Sequence, residues 1–372
     1  MNHETLTFIE RKTMYFSSNI ATSKKLDSKF LNNRLIMILF MSLLVLMLAS
    51  CSSDDDDDDD LVGNWFELSD FEGVPRSDAV SFTIGDKAYI ATGYDGEDRL
   101  NDFWEYDPVA NQWTQKADFP GVSRTGAVGF GTDAKGYLGT GYDGADKLND
   151  FYEYDPVSDS WNQIADFGGS ARYGAVSFSI DNKGYVGTGF DDNAMKDFWQ
   201  YDPSINAWTK ITSLGGGKRQ DAVAFVINGK GYVCGGIDNG SYETDFWEYD
   251  PTTNTWDEKR DIANLNDDES YDNDYTNIIG TNKIAFSINN HGYVATGGTG
   301  TTGTAVWEYD PIEDLWEEKT ALEASGRISA IGFSVNNVGY ISTGRNGSYY
   351  FDDLWGYNPD VEQVDLDKIV GY

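Results

Sequence analysis

Five arginines recur along this chain at related positions, and their side chains are the ones best suited to hold an anion. They are Arg76, Arg124, Arg172, Arg219 and Arg327. A guanidinium group binds a carboxylate or a sulfate through two parallel hydrogen bonds, so a ring of arginines on one face could bind an acidic ligand. The alternative is a structural role, in which each arginine pairs with a recurring aspartate of a neighbouring repeat. The candidate aspartates are Asp102, Asp150, Asp197 and Asp245.

The chain has too few suitable residues for metal binding or for nucleophilic catalysis. It contains two histidines and two cysteines, of which only His291 and Cys234 follow residue 60. A zinc site needs several such ligands in one place, and a serine hydrolase of the common type needs a Gly-x-Ser-x-Gly elbow that the sequence lacks. We therefore predict no catalytic residue and no resident metal or cofactor. We expect a solvated turn at His291 and a small buried thiol at Cys234.

One acidic segment, approximately residues 264–277, is a candidate for Ca²⁺, which prefers oxygen ligands. Its candidate ligands are Asp267, Asp268, Asp272 and Asp274. Their spacing does not match an EF-hand loop, because the central glycine is missing. We prefer a solvated acidic loop to a calcium site here.

The positions of the arginines belong to an internal repeat. The clearest copy, DFWEYDPTTNTW, covers residues 245–256, and near-copies begin at residues 102, 150, 197 and 305, with a weaker one at 353. The period is 47 or 48 residues, stretched once to 60. A fixed period of this length is typical of repeat architectures. Within each copy, the aromatic run suits a strand and Asp-Pro suits a turn.

Each arginine is followed by alternating small and large residues, then by a tyrosine-containing strand that ends in glycine. This Arg…Tyr…Gly…Tyr-Asp-Pro…Trp pattern resembles the kelch repeat over approximately residues 61–366. The usual Gly-Gly doublet is mostly Thr-Gly here, and it is intact only at Gly235-Gly236. The resemblance implies an all-β fold, a kelch-type β-propeller with blades of four antiparallel strands.

Counting strands predicts how the propeller closes. Six inner units are present, but only five downstream outer strands begin with tryptophan. The missing outer strand matches the segment around Trp65 in NWFELSDF. We predict a monomeric six-bladed propeller over residues 61–372, in which the N-terminal strand completes the last blade and so removes two free sheet edges.

Residues 1–50 have the features of a lipoprotein signal peptide. A positive flank precedes the apolar run Leu35–Leu48, which is short for a membrane span. The run leads into Leu48-Ala49-Ser50-Cys51, which resembles a bacterial lipobox. By that resemblance, the chain is cleaved before Cys51 and Cys51 carries the lipid. An uncleaved membrane anchor is the alternative.

Residues 51–60 form an acidic tether that includes seven consecutive aspartates, Asp54–Asp60. Like charges keep such a run extended and solvated. The run is similar to acidic tags that send lipoproteins of some gram-negative bacteria to the outer face of the outer membrane, and a simple spacer is the alternative.

The net charge of the whole chain is -35. This charge excludes a nucleic-acid partner, which needs a basic surface, so the membrane contact should be made by the lipid.

The resemblance also raises the question of enzyme activity. Galactose oxidase has a kelch-type propeller, and by family resemblance its copper needs two histidines and two tyrosines. The single histidine after residue 60 excludes that site. We favour a surface protein that binds a protein or a glycan on the face carrying the arginines. The alternative is a carbohydrate-active enzyme resembling a sialic acid mutarotase, with Arg219 among its candidate groups.

Overall fold

The alternating segment after each arginine forms the innermost strand of a blade in the structure, a computed structural model that describes residues 62–263, 275 and 277–363. In β2 (Val80–Ile84), the large residues Val80, Phe82 and Ile84 are buried, and the small residues between them are partly exposed. The predictions for Cys51, the signal peptide, the tether and the acidic residues Asp267, Asp268, Asp272 and Asp274 lie outside the described residues.

Each blade is a four-stranded antiparallel sheet, and in five of the six blades the strands follow chain order from the axis outward. Blade one contains β2 (Val80–Ile84), β3 (Lys87–Ala91), β4 (Phe103–Asp107) and β5 (Gln112–Gln115). Blade two contains β6 (Val128–Gly131), β7 (Gly136–Gly139), β8 (Phe151–Asp155) and β9 (Ser160–Gln163). Blade three contains β10 (Tyr173–Ile180), β11 (Lys183–Phe190), β12 (Phe198–Asp202) and β13 (Ala207–Ile211).

The second half of the chain repeats the arrangement. Blade four contains β14 (Val223–Ile227), β15 (Lys230–Cys234), β18 (Phe246–Asp250) and β19 (Thr255–Lys259), with a small hairpin of β16 (Ile237–Asp238) and β17 (Ser241–Tyr242). Blade five contains β20 (Ile284–Ile288), β21 (His291–Ala295), β22 (Val306–Asp310) and β23 (Leu315–Lys319). Blade six contains β24 (Ile331–Val335), β25 (Val338–Ser342) and β28 (Leu354–Glu362), with a hairpin of β26 (Arg345–Asn346) and β27 (Tyr349–Tyr350).

The first strand of the described chain, β1 (Val62–Glu67), closes the ring. It pairs antiparallel with β28, placing Trp65 opposite Tyr357, and so becomes the outer strand of blade six. The Trp65 side chain is fully buried, its ring centre lies 4.6 Å from that of Tyr357, and its Nε1 donates to the carbonyl of Thr320 at 3.0 Å. The predicted all-β, six-bladed fold with an N-terminal closing strand is confirmed.

Neighbouring blades are packed through aromatic residues of the inner strands. The ring of Phe82 lies against Gly136 at the start of the second strand of blade two, where an added Cβ would stand 2.2 Å from the ring. Phe130 and Gly184 repeat this contact between the next two blades. The absence of a side chain at these glycines therefore sets how closely the sheets approach.

A backbone hydrogen bond also joins every blade to the next. A glycine at or just after the end of the second strand donates its N–H to the carbonyl of the residue that begins the next blade, as Gly93 does to Arg124. The other donors are Gly141, Gly189, Gly236, Gly297 and Gly344, and the six distances span 2.7–3.1 Å. These glycines have positive φ values, 105° at Gly93 for example, a conformation that side chains other than hydrogen disfavour. None of the described residues forms a helix long and apolar enough to cross a membrane.

Trp65→Ala should lower the free energy of unfolding by about 3–5 kcal/mol, the usual cost of truncating a fully buried tryptophan. The measurement is urea denaturation followed by circular dichroism. Val157→Ala is the control, since Val157 is 94% exposed and should leave the midpoint unchanged. A Trp65→Ala midpoint equal to that of the parent would show that β1 does not close the ring.

Candidate functional site

The recurring arginines each bind a carboxylate inside their own blade. In blade one, Arg76 Nη1 and Nη2 donate to Asp102 Oδ1 and Oδ2 at 2.5 and 2.6 Å. The same guanidinium donates to the carbonyls of Val74 and Thr92, and Phe71 lies under it at 5.0 Å. The corresponding pairs are Arg124–Asp150, Arg172–Asp197, Arg219–Asp245 and Arg327–Asp353.

This geometry is the pairing that the sequence offered as the structural alternative, with one correction. The aspartate partner was predicted in a neighbouring blade, but it follows the arginine by 26 residues in blade one and belongs to the same sheet. The aspartate immediately precedes the third strand, and the arginine lies ahead of the first strand. Alternate strands of an antiparallel sheet run in the same direction, so both residues lie at the same end of the sheet. A sheet ordered by sequence therefore brings the two together.

The burial of these arginine side chains determines whether a ligand can contact them. The side chains of Arg76, Arg124, Arg172, Arg219 and Arg327 are all 0% exposed, and each guanidinium is engaged within its own blade, so the five do not converge on one point. For Asp102, burial alone would raise the pKa, but hydrogen bonds and the charge of Arg76 outweigh it and hold the pKa of Asp102 below its usual value. In this arrangement the guanidinium groups stabilise the blades and present no exposed surface.

Blade five departs from the pattern. Gly280 stands where the other blades have arginine, and Ala305 stands where they have aspartate. Lys283 supplies a cation from a position three residues later in the chain, and its Nζ donates to the carbonyls of Thr296 at 2.8 Å and Asn277 at 2.7 Å. Thr296 corresponds to Thr92, so the lysine reproduces one hydrogen bond of the missing arginine.

The same face carries a row of partly exposed aromatic rings, which we call the aromatic arc. Its members are Tyr350, Tyr94, Tyr142, Tyr173 and Phe190. Neighbouring rings lie close together: Tyr94 and Tyr350 at 6.2 Å, Tyr142 and Tyr173 at 5.7 Å, and Tyr173 and Phe190 at 5.5 Å between centroids. The arc therefore runs across blades six, one, two and three.

Two cations connect the rings of the aromatic arc. The Arg99 guanidinium lies 5.7 Å from the ring of Tyr94 and 5.2 Å from that of Tyr142, so it bridges blades one and two. Lys147 Nζ lies 5.8 Å from the ring of Phe190 and 2.5 Å from Asp192. Cations over aromatic faces fix the orientation of the rings. Neither cation was predicted from the sequence, although Arg99 follows Tyr94 and Lys147 follows Tyr142 by five residues.

The opening around the propeller axis lies on this face, beside the carboxylates of Asp78 and Asp221. Burial raises the pKa of Asp221, and the charge of Asp78 adds to the effect. Five backbone hydrogen bonds connect the residues at this level around the axis, for example from Asp78 N–H to the carbonyl of Ser329. In the described residues, no such bond joins Asn282 of blade five to Asp221 of blade four.

The remaining candidate residues lie apart from this face. Cys234 is 1% exposed, and burial raises the pKa of its thiol to about 12, as expected for a buried structural cysteine. His291 begins β21 next to the hairpin turn, with Nδ1 3.2 Å from the carbonyl of Asn289. Within the described ranges, no group of three or more His, Cys, Asp or Glu side chains is placed to hold a metal ion.

Comparison with known proteins places the fold. The family model of the Kelch motif matches residues 75–120 and 218–261, which include the strands of blades one and four. A solved structure of YjhT is 19% identical to this chain, with a TM-score of 0.65 over 77% of this chain and 95% of YjhT. At this identity the likeness concerns the fold alone. A comparison with curated protein sequences finds no match.

The motif, the six four-stranded sheets and the structural likeness define the class of the protein. The chain is a kelch-repeat β-propeller. This confirms the resemblance on which the strand count was based.

Asp102→Ala should destabilise the propeller by about 3–5 kcal/mol, because it leaves the buried Arg76 guanidinium without a counter-charge. The double variant Arg76→Met, Asp102→Ala removes both charges and should lose less stability than the single variant. Urea denaturation measures both. If the single variant is as stable as the parent protein, the pair has no structural role.

Proposed function

We propose that the protein is a binding propeller that recognises a glycan through the aromatic arc. The observation that carries the proposal is the arrangement of partly exposed rings and interleaved cations over four consecutive blades. Aromatic faces pack on the apolar faces of sugar rings, while a phenol and a guanidinium can bind sugar hydroxyls at the edges. The rings are held by their neighbours and lose little side-chain entropy on binding.

The surroundings of the arc also support a glycan over other ligands. The net charge of -35 disfavours polyanions, and the arginines that could attract an acidic protein are buried in salt bridges. Blades four and five carry no ring of the aromatic arc, so the face is asymmetric and a ligand would bind in one orientation.

Tyr142→Ala should weaken glycan binding at least about tenfold, because it removes a central ring of the arc and one of the two rings over Arg99. The measurement is a glycan array on residues 61–372, followed by calorimetric titration of the best hit. Tyr242→Ala is the matched control, since Tyr242 lies on the equivalent loop of blade four and outside the arc. Equal affinities of the two variants would contradict the assignment of the site.

We also propose that the protein is attached to the outer membrane of a gram-negative bacterium, facing the exterior, by a lipid on Cys51. The support is the sequence Leu48-Ala49-Ser50-Cys51 after an apolar run, followed by the acidic tether. A lipid anchor and an extended tether would leave the glycan-binding face free to reach a ligand outside the cell.

Cys51→Ala should release the protein from the membrane fraction, because no thiol remains there for acylation. Fractionation and immunoblotting of cells that express the full chain measure the effect. Cys234→Ala is the control and should stay with the membrane, because its thiol is buried within the propeller. Continued sedimentation of Cys51→Ala with membranes would contradict the lipid anchor.

The enzyme alternative, an activity resembling that of a sialic acid mutarotase, stays a prediction. It needs acid and base side chains at the axial opening, where Asp78 and Asp221 are the carboxylates described above.

A further inference from the structure

Five of the blades share a carboxylate bound by the arginine, and in four of them it is held from two sides. The arginine holds it from one side, as described above. In four blades the indole N–H of the tryptophan two residues later donates to the same carboxylate, at 2.7–2.9 Å. The four pairs are Trp104–Asp102, Trp199–Asp197, Trp247–Asp245 and Trp355–Asp353.

Blade five keeps the donors of this arrangement and lacks its acceptor. Trp307 occupies the tryptophan position and is 1% exposed, yet its indole N–H has no hydrogen-bond partner among the described residues. The residue two positions earlier is Ala305. A buried indole N–H without an acceptor is costly, and the equivalent N–H in four other blades is satisfied by a carboxylate.

A cation also remains beside this position. Lys283 Nζ takes the place of one arginine nitrogen, and its hydrogen-bond partners in the described chain are two backbone carbonyls. At the equivalent position, the other five blades have alanine: Ala79, Ala127, Ala175, Ala222 and Ala330. Blade five has therefore lost the arginine and the aspartate but has gained a lysine that no other blade has.

A cavity of about 470 Å³ lies in blade five beside Ala305, the position of the missing aspartate. Lys283, Thr296 and Ala305 line it, and its other walls include four further threonines, Thr299, Thr301, Thr302 and Thr304. The volume is in the range of small-molecule sites. A wall rich in hydroxyl groups and backbone amides suits a ligand that carries hydroxyl groups itself.

We propose that blade five binds a small hydroxylated carboxylate, whose carboxylate group occupies the position of the missing aspartate between the Lys283 ammonium and the Trp307 indole N–H. The ligand would complete the arrangement that the protein itself completes in the other blades. Its remaining hydroxyl groups would face the threonine wall. This site is separate from the aromatic arc, and the inference does not rest on the glycan proposal.

One carboxylate already lines the cavity, that of Glu318. It lies opposite Trp307 in the register of blade five, and burial raises its pKa. The same register position holds Glu258 in blade four and Glu67 in blade six. In both of those blades the tryptophan opposite the glutamate donates its indole N–H to an aspartate carboxylate, so a glutamate at this position is compatible with a second carboxylate over Ala305.

The charge of Lys283 makes binding dependent on pH. Burial lowers the pKa of its ammonium to about 8, and the titratable groups near it in the described residues are the Cys234 thiol and Glu318. A carboxylate ligand binds the charged lysine, so affinity should be highest below the pKa of Lys283 and fall as the pH rises above about 8.

The test follows the indole N–H resonances of the ¹⁵N-tryptophan-labelled protein during titration with acetate, glycolate and D-gluconate. Trp307→Phe identifies the Trp307 resonance by its loss. We expect a saturable shift of that resonance with at least one hydroxylated probe, and no shift of Trp247, whose N–H is bound to Asp245. If no probe moves the Trp307 resonance at any pH between 6 and about 8, the proposal is wrong.

Two variants decide whether the shift reports the proposed site. Lys283→Met should weaken binding at least about tenfold, whereas Lys210→Met, at an exposed position in blade three, should leave it unchanged. Ala305→Asp restores the internal carboxylate, so it should abolish binding and raise the melting temperature. Unchanged binding in Ala305→Asp would overturn the proposal. Glycan binding by the aromatic arc should survive Ala305→Asp, and carboxylate binding should survive Tyr142→Ala, so the failure of one proposal is distinguishable from that of the other.

Discussion

The arginine at the start of five of the six blades holds the propeller together in two directions at once. The guanidinium of Arg124 is bound to Asp150 and to the carbonyl of Thr140 within its own sheet, while its backbone carbonyl accepts the N–H of Gly93 from the preceding blade. A side chain locked in this way fixes the backbone of the same residue. The angle between successive blades therefore depends on a buried salt bridge in one of them. The contacts on the face that carries the aromatic arc depend on this arrangement of the blades.

The Thr-Gly doublet between the second and third strands has an unusual backbone conformation, which this arrangement of the blades requires. In blade one, Thr92 and Gly93 both have positive φ values, 62° and 105°. For a β-branched residue the left-handed conformation is disfavoured by about 1–2 kcal/mol, yet threonine occupies the position in every blade except blade four, which has Gly235. The carbonyl of this residue accepts a hydrogen bond from the arginine, or from Lys283 in blade five. The hydrogen bond helps to hold the threonine in this conformation.

The repeat made most of the fold predictable, because a period of 47 or 48 residues and the tryptophan count define six blades and the closing role of Trp65. The direction of the arginine side chains was not predictable in the same way. A repeat shows that Arg76 and Asp102 recur together, but whether they face a ligand or each other depends on the strand order within one sheet. In blade five the sequence shows that Gly280 stands at the arginine position and that Lys283 is the nearby cation, but only the structure shows that its ammonium donates to the carbonyl of Thr296, the counterpart of the carbonyl that the arginines bind. Tyr173 of the aromatic arc gave no periodic signal, because its counterparts in other blades are not aromatic.

Closure by β1 also sets the order of events during synthesis. Val62 and Tyr357, which meet across the closing pair, are 295 residues apart in the chain. At about 5–20 residues per second, a ribosome needs roughly fifteen seconds to a minute to make the partner of the first strand. Throughout that time the edge of β1 has no native strand partner, so the first strand of the described chain to emerge is the last to be paired. Any factor that shields nascent β-structure would therefore meet this protein first at its N-terminal strand.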